Sequence, residues 1–484
     1  MERLSGLDAG FLSLETPTAH MHVASVVVVD PGADRAWGHA QVVELIERRL
    51  GRLAPFRRRL VEVPFGLHHP VWVEDPALDV AAHVHRAALP APGGRRELET
   101  FAAEVVGRPL DRDRPLWELH VVEGLEDGAV ALITKIHHAA VDGVLGAELM
   151  AALLDLAPTV EGEEPVGPPP AETVPGDPEM LAYALRSWPA QPGAAVSVAR
   201  RAVALIGELR QHNREASGAA PPPVFGAPRT FFNTMLSPRR EVATAELSLD
   251  EARRVGAALG GTVNDVVLAV CAGGLRRWLT EHGDPGAEDL VALVPVSVRA
   301  GAGEPSGNRL SAMLVSLATT VDDPVERLVA IRAAATRAKS QQALVGPDLL
   351  TQLTGLAPPA LAARAVRLSA NLRLWERLPR PLCNVVVSNV AGAPVPLWCA
   401  GAPVRAMWPL GPITDGIGLN ITVLSYLDVL HVGLVGCPGV TTGLDRLGGH
   451  LVDAAGELSK TADRANAPSR PARRARRARA DRDP

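Results

Sequence analysis

At 484 residues, with 47% hydrophobic and 21% charged residues, the chain has an ordinary globular composition and is long for one core, so two domains are expected. The net charge of −5 gives no nucleic-acid footprint. No apolar run reaches the ~20 residues of a membrane-spanning helix, and the amino terminus lacks a secretory signal pattern. A cytoplasmic protein is expected, with Cys271, Cys383, Cys399 and Cys437, which show no paired metal spacing, as reduced thiols.

In chain order, MHVASVVVVD reads as a strand and AQVVELIERRLGRL as an amphipathic helix with Val43, Ile46, Leu50 and Leu53 on one side. PFRRRLVEV and HPVWVED are strand candidates. The run Arg57, Arg58, Arg59 has the composition of a solvated face, but on a strand Arg58 points opposite to its neighbours, so one of them is placed to turn inward. RPLDRDRPLWELHVV carries Pro115, Leu116 and Trp117 into a further strand. Trp117 reads as an aromatic anchor under the loop that follows, in preference to a substrate contact.

AVALITKI has the length and composition of an interior strand. GVLGAELMAALLDL has Leu145, Leu149, Leu153 and Leu156 on one helical face. KIHHAAVDG, from Lys135 to Gly143, is therefore a strand-to-helix junction, where side chains and backbone N–H groups meet a sheet edge. A neutral imidazole there, His138 foremost, takes a proton near pH 7 with little adjustment. Asp142 either orients that imidazole or pairs with an arginine elsewhere, and its place inside the loop favours the second role. Gly143 suits the sharp bend into the helix. Two blander readings stand beside catalysis. The pair His137 and His138 is either a hydrogen-bonded structural doublet or part of a metal site. Zinc needs a third ligand and a spacing such as HExxH, which is absent. His20/His22, His83/His85 and His68/His69 are further pairs, but no metal ligand set is assigned.

After Leu156 the composition turns to Pro, Glu and Gly, as in an exposed linker. Residues 194–212 read as a connecting helix, and ASGAAPPPVFGAP breaks the chain before a second domain near Arg229. ATAELSLDEARRVGAALG reads as strand then helix, with Ser248 as N-cap and Glu251 at the capping-box position. TVNDVVLAVCAGGLRRWLTEHG is a long helix with Asn264 and Asp265 in its first turn, where the helix dipole favours an acid. DLVALVPVSVRA is a buried strand ending at Arg299, which joins the arginine run as a candidate partner for Asp142. CNVVVSNVAGAP is a strand whose end carries Ser388 and Asn389. A Gly-rich loop with Gly416 and Gly418 then leads into a closing hairpin; these glycines admit a close ligand or backbone, or simply make a turn. From Arg464 the chain has eight arginines against two aspartates, the composition of a disordered basic tail. The expected divisions are 1–175, 176–228 (linker), 229–462 and 463–484.

HHAAVDG matches the HHxxxDG pattern of CoA-dependent acyltransferases and condensation enzymes. With LSGLDAGFLSLET, MHVASV, RPLWELHVVEGL, TVNDVVLAVCAGGLRRWL, VPVSVR, VSNVAG and SYLDVLHVGLVG in this order, the chain resembles the bacterial wax ester synthase/diacylglycerol acyltransferase family over most of its length. The resemblance implies an α/β protein of two chloramphenicol acetyltransferase-like domains, with mixed sheets flanked by helices and an active-site channel at their interface. It implies acyl transfer from a long-chain acyl-CoA to diacylglycerol or a fatty alcohol, giving triacylglycerol or wax ester, with His138 as general base. Acyl-CoA is then a co-substrate and no cofactor is needed. No serine or cysteine sits in a nucleophile-elbow pattern, which agrees with direct transfer.

The resemblance also marks Asn264 and Asp265 as important to activity, although their helix position favours a structural role. By analogy with the chloramphenicol acetyltransferase fold it points to Ser388 as the hydroxyl that helps bind the oxyanion. The basic tail suits peripheral association with an anionic membrane, at the inner face of the plasma membrane, or with a lipid droplet; a solubilising tail is the alternative. Two rival functions remain. A condensation-type enzyme with a carrier-bound donor is disfavoured by the PLW and TVND elements, and a silent lipid-binding protein by the intact HHxxxDG.

Overall fold

The computed structural model describes residues 1–32, 37–141, 153–158, 172–187, 222–284, 286–297, 310–345 and 359–466, with isolated positions between 167 and 211. Strands of the first half are β1 (Glu2–Arg3), β2 (His22–Val29), β3 (Arg58–Val61), β4 (Val71–Glu74), β5 (Val84–Ala88), β6 (Trp117–Glu123) and β7 (Val130–His137). Those of the second are β8 (Glu241–Ser248), β9 (Val291–Ser297), β10 (Leu310–Ser316), β11 (Val385–Val390), β12 (Trp398–Cys399), β13 (Ala402–Leu410), β14 (Asn420–Tyr426) and β15 (Val429–Gly436). The longer helices are α1 (Gly6–Leu14), α2 (His39–Arg49), α3 (Arg95–Val106), α4 (Asp177–Ser187), α5 (Leu249–Leu259), α6 (Val263–Glu281), α7 (Pro324–Val345), α8 (Pro359–Asn371) and α9 (Leu444–Asn466).

Two six-stranded mixed sheets carry the molecule, in the orders β12-β13-β2-β7-β6-β5 and β10-β9-β11-β14-β15-β8, beside a small sheet β1-β4-β3. The central strand β7 is buried along its whole length because helices cover both faces of its sheet. Val130, Leu132 and Ile136 pack with Val42, Leu45 and Ile46 of α2, while Ala131 and Ile133 pack with Leu98, Ala102 and Val105 of α3. A strand covered on both sides reads as an apolar run and not as an alternation, which is what its sequence shows. In α2 the buried stripe is Val42, Leu45 and Ile46, so Val43 is turned one position off the expected face. In the second half, α5, α6, α7 and α9 pack against the second sheet around Leu268, Trp278, Leu328 and Leu447.

The two halves are not contiguous blocks of chain. The strands β12 and β13 come from the second half yet complete the first sheet, β13 pairing antiparallel with β2 from Leu410↔Ala24 to Val404↔Val29. The expected domain 229–462 therefore gives two strands to its neighbour. Likewise α4, expected within a linker, packs Met180 and Ala184 against Val63, Val71 and Val73 of the first half. Where β13 meets β15, the Pro409 carbonyl oxygen lies 1.8 Å from where a Cβ on residue 433 would sit, so only glycine fits. Leu153 is buried whereas Leu156 is 74% exposed, so Leu156 does not share the expected apolar face; residues 142–152 of that segment lie outside the described residues. Among the described residues no single helix is long and apolar enough to cross a membrane, and the bent pair α5 and α6 meets the requirement only jointly while packing in the core.

Candidate active site

Strand β7 ends at His137, and the chain turns at His138. Two neighbours hold that turn by backbone bonds: His137 N–H donates to Leu116 O at 3.0 Å and His138 N–H to Met21 O at 2.9 Å. Met21 has φ 51°, a left-handed backbone that is strained for a residue with a side chain and common at functional sites. His22 lies opposite His137 in the β2–β7 register. The loop is thus clamped between the PLW segment on one side and the His20–His22 segment on the other.

Helix α1 supplies what covers the turn. Its capping box is reciprocal, Asp8 N–H donating to Ser5 Oγ at 3.1 Å and Ser5 N–H to Asp8 Oδ2 at 3.3 Å. This start sets Phe11 on the imidazole of His138, with ring centroids 4.0 Å apart and planes at 17°. His138 is half-buried, and desolvation in its recess pushes its pKa down to about 4. At neutral pH it is a neutral imidazole, the form a general base requires.

His137 is 1% exposed and plays a different part. Its Nδ1 accepts the Ala139 N–H at 3.0 Å, which places the proton of the neutral ring on Nε2, 3.6 Å from Glu15 Oε2. Glu15 is in turn bonded by Arg112, Nε to Oε2 at 3.1 Å. Burial pushes the Glu15 carboxyl up, and the His137 and Arg112 contacts more than offset this, so it lies below its ordinary value. Burial lowers the pKa of His137. Behind it, His22 stands edge-on at 5.7 Å and His20 stacks on His22 at 5.5 Å. Both nitrogens of His22 are buried without a hydrogen-bond partner among the described residues, and desolvation holds its pKa well below the ordinary value.

Trp117 is 1% exposed, sandwiched between Phe56 at 4.0 Å and His83 at 4.6 Å, with Nε1–H donating to Phe56 O at 3.0 Å. It therefore packs in the core beside the end of β7. Arg57 and Arg58 both bond Glu74, at 3.0 and 3.1 Å. This corrects the expectation that strand alternation sends them to opposite sides, since Arg57 still belongs to a short helical turn. Arg59 keeps a buried Nε without a hydrogen-bond partner among the described residues. Asp142, Gly143 and Arg299 lie outside the described residues.

The remaining candidates sit on the second half. Asp265 closes a capping box on α6, accepting from Thr262 N–H and Oγ1–H at 2.8 Å each. Asn264 accepts from Asn389 Nδ2 on β11 at 3.4 Å. Ser388 is half-buried on β11, opposite Thr422 of β14. Gly418 allows a close backbone, since a Cβ there would be 2.5 Å from Phe232 O. The halves are tied beside the loop, where Arg240 Nη2 bonds Thr18 O and Thr18 Oγ1 bonds Asp415 Oδ2 at 3.4 Å. Helix α8 packs against α1. Sequence reasoning missed Phe11, Glu15, Met21 and Arg112 as parts of the site; the signal lay in LSGLDAGFLSLET, which ends at Glu15 and Thr16.

Two mixed sheets, the first completed by two strands from the second half of the chain and bearing a desolvated histidine at the end of a central strand, have the architecture of the chloramphenicol acetyltransferase-like acyltransferases. The chain matches the wax ester synthase/diacylglycerol acyltransferase catalytic domain over residues 4–267 and the WS/DGAT C-terminal domain over 306–459. It is 36% identical over 468 residues to a Mycobacterium tuberculosis protein named as a diacylglycerol O-acyltransferase, covering 96% of this chain and 91% of that one. A second protein of that organism, named likewise, is 39% identical over 437 residues, covering 90% and 91%. The solved wax ester synthase/diacylglycerol acyltransferase from Marinobacter aquaeolei VT8 superposes with TM-score 0.69 at 31% identity, over 96% of this chain and all of the other. The first condensation domain of the calcium-dependent antibiotic synthetase shares the fold at TM-score 0.57 and 18% identity, over 95% and 96%. The chain belongs to the wax ester synthase/diacylglycerol acyltransferase family and is an acyltransferase.

Proposed function

We propose that the protein moves a fatty acyl group from a long-chain acyl-CoA to the hydroxyl of diacylglycerol or a long-chain alcohol, forming triacylglycerol or wax ester. The observation that carries this reading is the neutral, half-buried imidazole of His138, whose backbone N–H donates to Met21 O and whose ring is faced by Phe11. His138 takes the acceptor's hydroxyl proton as its oxygen attacks the thioester carbonyl. The C–S bond then breaks, and the imidazolium returns the proton to the CoA thiolate. The ester and free CoA are the products, with no acyl-enzyme and no cofactor. The channel for both substrates is placed between the two sheets, and a hydroxyl such as that of Ser388 stabilises the oxyanion.

His137 serves the loop and not the proton transfer, because both of its nitrogens face protein groups. Asp142 holds the loop through an arginine. Arg57 and Arg58 are engaged by Glu74, which leaves Arg59 or Arg299 for that role. Gly143 permits the turn. Residues 464–484 bring the enzyme to an anionic lipid surface, where each arginine contributes about 1 kcal/mol; liposome binding that is salt-dependent and lost on deleting the tail supports this, and equal binding of both forms rejects it. The test of the main reading offers the purified protein a long-chain acyl-CoA with either diacylglycerol or a fatty alcohol and follows thiol release. Release that depends on an acceptor is expected, and its absence with both acceptors rejects the reading.

A further inference from the structure

Apart from the catalytic loop, the first sheet gathers imidazoles at its β5 edge. The sequence pairs His83 with His85, but the structure parts them. His83 precedes β5 and turns inward, its Nδ1 lying 2.9 Å from Trp117 O and its ring stacked on Trp117 at 4.6 Å. His85, one turn of the pleat later, is exposed. Parallel pairing of β5 with β6 sets His85 directly beside His120, and their ring centroids are 4.8 Å apart. Glu118 precedes His120 by two residues on β6, so strand alternation puts its carboxylate on the same face. One ligand atom from each of His85, Glu118 and His120 lies within 4.8 Å of the others.

We propose that His85, Glu118 and His120 form a binding site for one divalent transition-metal ion, of the zinc type, that clips the edge strand β5 to β6. Two imidazoles and one carboxylate are donors of intermediate softness, which suit Zn²⁺ and its neighbours and not Mg²⁺ or Ca²⁺. Three protein ligands leave a coordination position for water, and the exposure of His85 gives the ion an entry path.

A second, independent feature is the support behind the carboxylate. Lys135 is 0% exposed, and its Nζ lies 2.6 Å from Glu118 Oε1 while bonding Val105 O and Arg108 O at 2.9 Å each. This ammonium is fixed by the end of α3 and in turn fixes the Glu118 carboxylate through Oε1, the oxygen that His120 also approaches. Phe101 of α3 stands edge-on to His120 at 5.9 Å and limits its rotation. Ligands oriented in this way by an outer layer of partners are the usual construction of metal sites. In the metal-free form the same groups are held by the His120 Nε2 contact to Glu118 Oε1, at 3.2 Å, which an entering ion replaces.

The experiment is equilibrium dialysis of the tag-free, full-length protein against Zn²⁺, with thermal melting read in parallel. One ion per chain is expected, unaffected by excess Mg²⁺, together with a Zn²⁺-dependent rise in melting temperature. His85→Ala removes an exposed side chain and should fold normally; it should weaken binding at least tenfold and abolish the thermal shift, and His120→Ala should do the same. Absence of stoichiometric Zn²⁺ binding by the wild-type protein overturns the proposal, as does unchanged binding by folded His85→Ala. The readout is independent of acyl transfer, so its failure leaves the proposed function untouched.

Discussion

The imidazole of His138 lies flat on the phenyl ring of Phe11, centroids 4.0 Å apart and planes 17° from parallel. Such stacking is worth about 0.5–1.5 kcal/mol, and here it fixes the orientation of the imidazole while shielding one face from water. Phe11→Ala should lower turnover by roughly threefold to tenfold, the kinetic equivalent of that energy, and Phe11→Leu by less. Melting should change little in either variant if the contact orients His138 and does no more. Unaltered kcat in folded Phe11→Ala would remove Phe11 from the site.

The two histidines of the motif should separate cleanly. General-base catalysis contributes about 10²- to 10⁴-fold, so His138→Ala should lose turnover in that range while acyl-CoA binding persists. His137→Ala should instead lose stability, because it leaves the Ala139 N–H without its acceptor and buries Glu15 beside Arg112 without the imidazole. An unsatisfied buried group costs about 1–3 kcal/mol, measurable as a shift in denaturation midpoint. Near-normal turnover in folded His138→Ala would show that another group takes the proton.

Burial sets the direction of the pH response. His138 is pushed down to about 4, so the acid limb of kcat/KM should fall near that value and not near the ~6.5 of a free imidazole. His22, His137, His138 and His431 are all held neutral by desolvation. Below about pH 6.5 the unfolded chain binds these protons and the folded one does not, so stability present above that pH is lost progressively as pH falls. The urea midpoint should decline from pH 7 toward pH 5, with activity following the folded fraction. A midpoint constant over that interval would contradict the assignment of these histidines as buried and neutral.

Much of this architecture was legible because β7 and α6 carry their own signatures: an apolar run ending in HHxxxDG, and Thr262 with Asp265 closing a capping box on a long helix. What the sequence did not disclose is long-range. Nothing in GAPVRAMWPL distinguishes a strand that stays in its own sheet from β13, which crosses to the other, since both need the same apolar alternation. Glu15 and Phe11 were hidden for a similar reason: each is unremarkable in its own segment and gains a role only when α1 is laid over the end of β7. Lys135 was read as part of an apolar run, and only the β6–β7 register, Glu118↔Lys135, reveals the partner that lets an ammonium sit at 0% exposure.

The crossing of β13 makes the joint between the sheets a testable point. Gly433 of β15 lies against Pro409 of β13, and a Cβ on residue 433 would stand 1.8 Å from the Pro409 oxygen and 2.9 Å from its carbonyl carbon. Both obstacles are backbone within paired strands, so neither moves aside as a flexible side chain would. Gly433→Ala must therefore push β13 and β15 apart, separating Pro409 and Leu410 of the first sheet from the second. Overpacking of this kind costs about 1–3 kcal/mol or more, and under the proposal that the substrates bind between the two sheets, activity should fall in parallel. Gly449 of α9 is the control: a Cβ there meets nothing within 4 Å, so Gly449→Ala should stabilise by up to ~1 kcal/mol through helix propensity alone. Denaturation midpoints of the two variants should move in opposite directions. Equal stability of Gly433→Ala and the wild type would mean that the seam between β13 and β15 is looser than the structure shows.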